Sequence, residues 1–453
     1  MSLYFHAYLK GGQKGTSLLD TVFGTALLLI VFVGLYGAFQ LTLELVQSSK
    51  SKTGALALAS ERMEYVRSLG YDDVGTVGGI PAGVLVEEET ETLNGIEYAR
   101  RTFVQYVDAS QDGLGGSDSN GITTDYKVVK VNIEWDFRGE SRSFFLVTNI
   151  VPQGMETVSG GGTLRITVLN SLGSPVTSAQ VNLVNNNVVP AVSLSTFTNT
   201  SGIVEFPGAP SANSYEVTVS KTNYSGAQTY SVSVANPNPS PGHLTVVETQ
   251  TTSSSLSIDV VGNATIRTFE LGTTTPLADI PLSIIGAKTI GTDSGDNPVY
   301  KYSSSIDTGS SGSITVNDLE WDNYTISIDD TATGYDIAEV CTPQPFSLLS
   351  GESETVDVYV VTDTPHTLLV DVKDAGGSVL SGATIRLYRG AYDTTIVGGV
   401  CGQAFFNDSV SEGTVSGSNP YSLDVSLSGY TSETVSNVEV SDVSRSSVIL
   451  NSI

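Results

Sequence analysis

Histidine, cysteine and positive charge are all scarce in this chain. Its 453 residues hold three histidines, two cysteines, and 21 lysines and arginines against 48 aspartates and glutamates, a formal net charge of −27. A surface of that sign repels a phosphate backbone, which excludes nucleic acid as a partner. His6, His243 and His366 fall in a leader, a loop and a linker, too dispersed for a histidine metal centre or a Ser/His/Asp triad. Two cysteines cannot build a zinc cluster. The sequence also lacks a Gly-x-Ser-x-Gly elbow, a phosphate-binding loop and a His-Glu-x-x-His motif. The chain is therefore expected not to be an enzyme. Charge of both signs is thin, at 15% of residues, and a Ser/Thr/Gly/Asn/Val-rich remainder suits solvated strands with polar turns better than a disordered acidic tail. The length allows several domains, each able to bury a core.

One long hydrophobic run stands out. Thr21 to Leu43 is about 23 residues, roughly 34 Å as a helix and enough to span a hydrocarbon core. Its Leu, Ile, Val and Phe residues outweigh the cost of Asp20 near the membrane edge. Lys10 and Lys14 precede the run and no lysine immediately follows it, which puts the N-terminus inside and the bulk of the chain outside. The run is too long for the core of a secretory signal, and no small-x-small cleavage site follows it promptly. An uncut signal anchor is the plain alternative, but it leaves Asp20, a costly carboxylate within an apolar segment, without a role. Beyond the run, Leu56, Ala59, Met63 and Val66 recur at helical spacing, with Glu61, Arg62, Glu64 and Arg67 on other faces. Gly70 is expected to stop a single helix of about 50 residues. Gly24, Gly34 and Gly37 are compatible with a membrane helix and would permit close packing there.

Gln13-Lys14-Gly15, followed by Thr16-Ser17-Leu18-Leu19-Asp20 and the apolar helix, resembles the class III signal of type IV pilins and type II secretion pseudopilins. The resemblance implies cleavage by a prepilin peptidase after Gly15, methylation of the new N-terminal Thr16, and an assembly role for Asp20, the fifth mature residue, paired with the freed amine of a neighbouring helix. Thr16 stands where the family usually has Phe, and Asp20 where it has Glu. The stretch Ala59 to Tyr71 also resembles minor pilins and pseudopilins. The implied organisation is a leader over 1–15, a transmembrane and amphipathic helix over 16–70, and a β head over 71–155. This is an α+β pilin-like part in which the long helix packs on an antiparallel sheet.

Strand-like runs fit such a head: Gly95 to Val107, Lys127 to Phe137 and Ser143 to Val151, with Tyr126 to Ile133 alternating polar and apolar. Between them lies an acidic, Gly-rich loop. Asp108, Asp112, Asp118 and Asp125 are a candidate Ca²⁺ set, although their spacing matches no EF-hand and a solvated turn is the plainer reading. No other cofactor is expected.

The rest of the chain repeats with a period near 100 residues. Leu164-Arg165-Ile166-Thr167-Val168, Ala179 to Leu183, Phe206, Tyr215 to Val219 and Tyr224 match Leu368-Leu369-Val370-Asp371-Val372, Ala383 to Leu387, Phe406, Tyr421 to Val425 and Tyr430. A looser middle copy has Leu256 to Val260, Pro281 to Ile284, Tyr324 to Ile328 and Tyr335. Short alternating strands and frequent turns predict tandem β-sandwiches over 163–248, 256–362 and 367–453, separated by a Ser/Thr-rich linker at 248–255 and a Pro365 linker at 362–367. The pattern resembles carboxypeptidase regulatory-like domains and collagen-adhesin B-type stalk domains, which implies Ig-like or transthyretin-like sandwiches. Some adhesin stalks carry a Lys–Asn isopeptide bond beside a buried acid. Lys373, Asn451 and Asp424 lie near the equivalent places, with two exposed polar residues as the alternative. Cys341 and Cys401 suggest one disulfide in an exported chain, locking two sandwiches across a linker; the alternative is two separate buried thiols.

Together the resemblances imply a minor pilin or pseudopilin-like subunit of a type IV-like filament. Its partners would be the membrane, other pilin subunits, prepilin peptidase and an unidentified surface receptor. A type II secretion pseudopilin and an anchored adhesin or lectin-like protein outside any filament are the alternatives.

Overall fold

The computed structural model describes residues 18–109, 124–152, 161–407, 410–413 and 420–453, without the side chain of Asp20. Gly15, Thr16, Asp112 and Asp118 lie outside the described residues. Two compact units divide the chain: the N-terminal helix with its sheet, and the β modules that follow.

In the first unit, α1 runs from Leu18 to Ser68, 51 residues, or about 76 Å. The large apolar side chains of its first half, from Leu18 to Val46, are exposed. Further along, Ala55, Leu58, Ala59, Met63 and Val66 are buried, at the three- and four-residue spacing that lines one helix face. They pack on a four-stranded antiparallel sheet in sequence order: β1 (Glu88–Leu93), β2 (Ile96–Val107), β3 (Tyr126–Phe137) and β4 (Glu140–Ile150). Val129, Val131, Ile133 and Trp135 alternate along β3 as its buried face. Both tight hairpins turn on two left-handed residues, Asn94-Gly95 and Arg138-Gly139, whose twist matches that of the flanking strands. α1 ends at Ser68, just before Gly70, as the sequence reading expects. The backbone of Gly70 is extended (φ −63°, ψ 151°) and leads into a 3₁₀ turn at Tyr71–Asp73.

The second unit holds three sandwiches. The first comprises β5 (Gly161–Leu169), β6 (Gln180–Asn185), β7 (Val192–Phe197), β8 (Ile203–Pro210), β9 (Ala212–Ser220), β10 (Ala227–Gln228), β11 (Asn238–Pro239), β12 (Leu244–Val246) and β13 (Thr251–Ser257). One sheet is β13-β5-β8 and the other β10-β9-β6-β7, with β12 also on β9. Leu164, Ile166, Val168, Val181, Leu183, Phe206 and Val217 are buried in it.

The second sandwich comprises β14 (Gly262–Glu270), β15 (Pro281–Gly286), β16 (Thr289–Thr292), β17 (Pro298–Tyr300), β18 (Ser303–Asp307), β19 (Ser313–Leu319), β20 (Asp322–Ser327), the short α2 (Asp330–Thr333), β21 (Tyr335–Cys341), β22 (Phe346–Leu348) and β23 (Ser353–Thr362). Its sheets are β19-β14-β23-β21 and β18-β15-β20-β22. The third comprises β24 (Thr367–Asp374), β25 (Thr384–Arg389), β26 (Tyr392–Val397), β27 (Gln403–Phe406), β28 (Tyr421–Ser426), β29 (Glu433–Val438) and β30 (Val443–Leu450), in sheets β27-β24-β30 and β26-β25-β28-β29.

Three features recur in every copy. First and last strands pair in parallel: β5 with β13, β14 with β23, β24 with β30. A buried tyrosine hydroxyl reaches back to the backbone, Tyr215 to Pro210 O, Tyr324 to Glu320 O and Tyr421 to Ser411 O, at 2.6, 2.7 and 3.0 Å. This is the corner that fixes a strand entry in Ig-like sandwiches. A left-handed glycine, Gly202, Gly312 or Gly402, accepts through its carbonyl from Val168, Thr268 or Val372 on the first strand. A Cβ on Gly202 would stand 2.5 Å from Val168 O, so the turn requires glycine.

One boundary differs from the sequence reading. Residues 251–257 are not a linker, and Leu256 to Val260 does not open the second sandwich. Thr251–Ser257 is the closing strand of the first, paired with Thr163–Leu169, and the second opens at Gly262–Glu270. In this edge strand Thr252, Ser254 and Leu256 share the inward face and only Leu256 is buried. Because Thr and Ser occupy inward as well as outward positions, apolar alternation is absent although the backbone pairs fully.

Candidate functional site

The N-terminal helix carries the features expected of an anchor. Its first half reaches a mean hydropathy of 2.3 over an apolar window and is long enough to cross a membrane. Asp20 falls in its first turn. The second half is tied to the sheet by more than apolar contact. Arg62 is buried; its guanidinium donates to Thr102 Oγ1 at 3.2 Å and Val86 O at 3.1 Å and meets Glu89 at 3.4 Å. Glu89 also pairs with Arg100 at 2.8 Å, so one carboxylate joins helix to sheet. Tyr98, 1% exposed, donates to Ser51 O at 2.9 Å. Its hydroxyl lies where a Cβ on Gly54 would approach to 2.6 Å, so glycine there lets the ring lie on the helix.

Lys127 closes the far end of this contact. Its Nζ donates to Tyr71 O at 2.7 Å and Val74 O at 2.8 Å and sits 4.3 Å from the Tyr71 ring centre. Burial lowers its pKa to about 8, against the opposing pull of Asp72 and Asp73. The ammonium thus satisfies backbone carbonyls in the 3₁₀ turn that follows the helix.

Of the candidate calcium loop, Asp108 and Asp125 flank the ends of β2 and β3, with Asp125 N donating to Val107 O at 3.2 Å.

The junctions between sandwiches are built sites. At the first, Asp259 accepts from both the amide and hydroxyl of Ser171, at 3.0 and 2.5 Å, while its own backbone pairs with Ser225. Burial pushes this carboxyl up, but the bonds from Ser171 and Val260 outweigh burial and hold it below the usual range. β11 of the first sandwich adds to the β16–β17 hairpin of the second, and Asn236 Nδ2 donates to Ile290 O at 2.9 Å.

At the second junction Cys341, ending β21, and Cys401, before β27, form a disulfide with Cα atoms 5.4 Å apart. Around it, Gln403 Oε1 accepts from Val340 N at 2.7 Å, Gln403 Nε2 donates to Asp371, and Glu339 Oε1 accepts from Cys401 N at 3.2 Å. Burial pushes the Glu339 carboxyl up, with the Cys401 amide opposing. Ala338, Val361, Leu369 and Phe405 form a small apolar cluster beside these bonds.

Lys373, Asn451 and Asp424 are not brought together as an isopeptide site. Lys373 lies on β24 opposite Ile449, Asn451 is exposed, and Asp424 lies on the other sheet, bonded to Arg386 and Thr434. His243 is held by Thr229 at 3.0 Å and Glu216 at 3.7 Å, a structural pairing. Among the described residues, Asp330, Asp336 and Asp363 also converge. Sequence reasoning missed them, along with Lys127, Asp259 and Gln403, because nothing in their local spacing marks them.

No protein-family model matches the chain, and no curated protein matches it. Among solved structures, the Bacillus anthracis TIE protein aligns at 15% identity over 81% of this chain and 75% of its own, with a TM-score of 0.19. A streptococcal ancillary pilin aligns at 12% over 65% of this chain and 99% of its own, with a TM-score of 0.18. The shaft pilin SpaA from Lactobacillus rhamnosus GG aligns at 10% over 45% of this chain and 100% of its own, with a TM-score of 0.17. Scores this low establish neither a shared overall structure nor a shared role.

Proposed function

We propose that this chain is a non-enzymatic subunit of a type IV-like filament, inserted and assembled through its N-terminal helix and displaying its sandwiches at the cell surface as a stalk or adhesive decoration. The observation that carries this reading is the division of α1 into an exposed apolar half and a half packed on a four-stranded antiparallel sheet, directly after the Gly15/Asp20 signal. An isolated anchor has no need of the second half. In the proposed assembly Asp20 pairs with the freed amine of Thr16 on a neighbouring subunit, since an unpaired carboxylate at that depth is costly. Hydrogen-bonded junctions suit a projecting stalk better than a periplasmic piston, which three bulky modules would crowd.

The test is intact mass and N-terminal sequence after co-expression with a prepilin peptidase. The expected product starts at Thr16 and carries the mass of one extra methyl group. A product that still starts at Met1 overturns the filament reading and leaves an anchored surface protein.

A further inference from the structure

Asp336 stands at the start of β21 with no exposed surface. Its Oδ2 accepts from Thr364 N at 3.1 Å, while Oδ1 is buried without a hydrogen-bond partner. Asp330, the first residue of α2, and Asp363, just after β23, turn toward it. One carboxylate oxygen from each of the three lies within 4.8 Å of the others. The Thr364 hydroxyl, on the residue whose amide serves Asp336, is also buried without a partner. Burial pushes the Asp336 carboxyl up to about 6 against the Thr364 amide, and Asp363, Asp330 and Asp442 push it the same way; every charge acting on it is negative. A buried carboxylate among like charges, with an idle oxygen, is costly unless a cation pairs with it.

We propose that Asp330, Asp336 and Asp363 bind a calcium ion at the junction of the second and third sandwiches. The donors are all oxygens, which selects a hard cation over zinc or copper. Opposite ligands of calcium stand about 4.6–5.2 Å apart, twice its bond length, and the three oxygens fit inside that span. Three carboxylates suit calcium better than magnesium, which sheds water reluctantly and usually takes one or two. Asp330 and Asp363 are partly open to solvent, leaving room for waters to complete six to eight ligands. Asp330 and Asp336 belong to the second sandwich, whereas Asp363 begins the four-residue connection to the third. The ion therefore pins that connection. It is a separate brace from the disulfide, since Cys341 lies five residues further along β21, about 17 Å away.

The experiment is calorimetric Ca²⁺ titration of the full chain in detergent after chelation. It compares wild type, Asp363→Asn, Asp336→Asn and an Asp112→Asn/Asp118→Asn variant of the acidic loop. Wild type is expected to take up Ca²⁺ with a dissociation constant of about 10⁻³ M or tighter, the range of extracellular modules. Each junction substitution should weaken this at least tenfold, while the loop variant leaves it unchanged. Asp363 is exposed, so its variant tests the site without disturbing a core. Chelation should also speed proteolysis between residues 363 and 366 in wild type, with no further effect in Asp363→Asn. Absence of Ca²⁺ uptake, uptake that survives Asp363→Asn, or uptake lost only in the loop variant overturns the proposal.

Discussion

Lys127 gives the helix–sheet unit a measurable pH signature. The side chain is 1% exposed, and its pKa is lowered to about 8, against roughly 10.4 for an unfolded lysine. A lowered lysine means that the folded state holds the proton less tightly. Below pH 8 both states are protonated, and the cost of burying the charge is present in full. Between pH 8 and about 10.4 the unfolded chain keeps a proton that the folded chain sheds, so stability rises with pH at about 1.4 kcal/mol per unit. The total is about 3 kcal/mol. Other groups titrate in this range, including Tyr98 and Tyr106, both raised by burial, so the quantity to measure is a difference. A Lys127→Met chain shares every other titration and lacks this one. Wild type should therefore gain about 3 kcal/mol on Lys127→Met between pH 7 and pH 10.5. Urea unfolding followed by Trp135 fluorescence reads the sheet alone once Trp321, the second of the two tryptophans, is replaced by Phe. A difference constant to within about 0.5 kcal/mol across the range would refute the reasoning and mean that the ammonium is solvated.

Other perturbations test the remaining contacts. Gly54→Ala should destabilise the helix–sheet unit by about 1–3 kcal/mol in thermal unfolding, despite the roughly 1 kcal/mol that alanine favours a helix, because the new Cβ collides with the buried Tyr98 hydroxyl; a stabilised variant would show that the ring yields freely. Replacing Cys341 and Cys401 by Ser should cost about 4 kcal/mol in urea unfolding of the second and third sandwiches together, from the chain entropy of a closed loop with a sequence separation of 60 that takes in strands of both; an unchanged midpoint would assign the junction to Gln403 and its neighbours alone. Asp259→Asn should cost about 1–3 kcal/mol at pH 7. Because that carboxyl is lowered in the fold, the loss should shrink as pH falls through its folded value, and a pH-independent loss would count against the Ser171 bonds.

Much of this architecture is legible in the sequence because the determining pattern is local. A 23-residue apolar run followed by helical spacing at Leu56, Ala59, Met63 and Val66 dictates a long helix with two environments. Of those four, Ala59, Met63 and Val66 are buried and only Leu56 is exposed, at 45%; Ala55 and Leu58 complete the buried stripe in its place. The tyrosines at 215, 324 and 421 and the glycines at 202 and 402 are visible as repeated letters, although the hydrogen bonds that make them necessary are not. What the sequence hides is contact between distant residues. Thr251–Ser257 reads as a linker because the signal that makes it a strand is the edge of β5, some 90 residues earlier. Asp330, Asp336 and Asp363 look like routine surface carboxylates until the β21–β23 pairing stacks them. Gly70 carries the usual mark of a helix stop, but the carbonyls of Tyr71 and Val74 in the turn after it are satisfied by Lys127, more than fifty positions away, which no local rule anticipates.

The parallel pairing of first and last strands has a consequence for how tension travels. Each sandwich is entered at the start of one strand and left at the far end of its parallel neighbour. Stretching the chain therefore drags the two strands past each other along their length instead of peeling them apart from one end. In the first sandwich seven residue pairs are strained together and none opens until the whole ladder slips; in the second and third, the Cys341–Cys401 bond carries the pull past β23 and β24, which lie inside the loop it closes. Only four residues separate β13 from β14, and four separate β23 from β24, so little slack absorbs the pull between modules. A chain under tension would stay at nearly constant length up to a threshold and then give way in the first sandwich as a whole, while the second and third, joined by the Cys341–Cys401 bond, keep the enclosed residues from paying out.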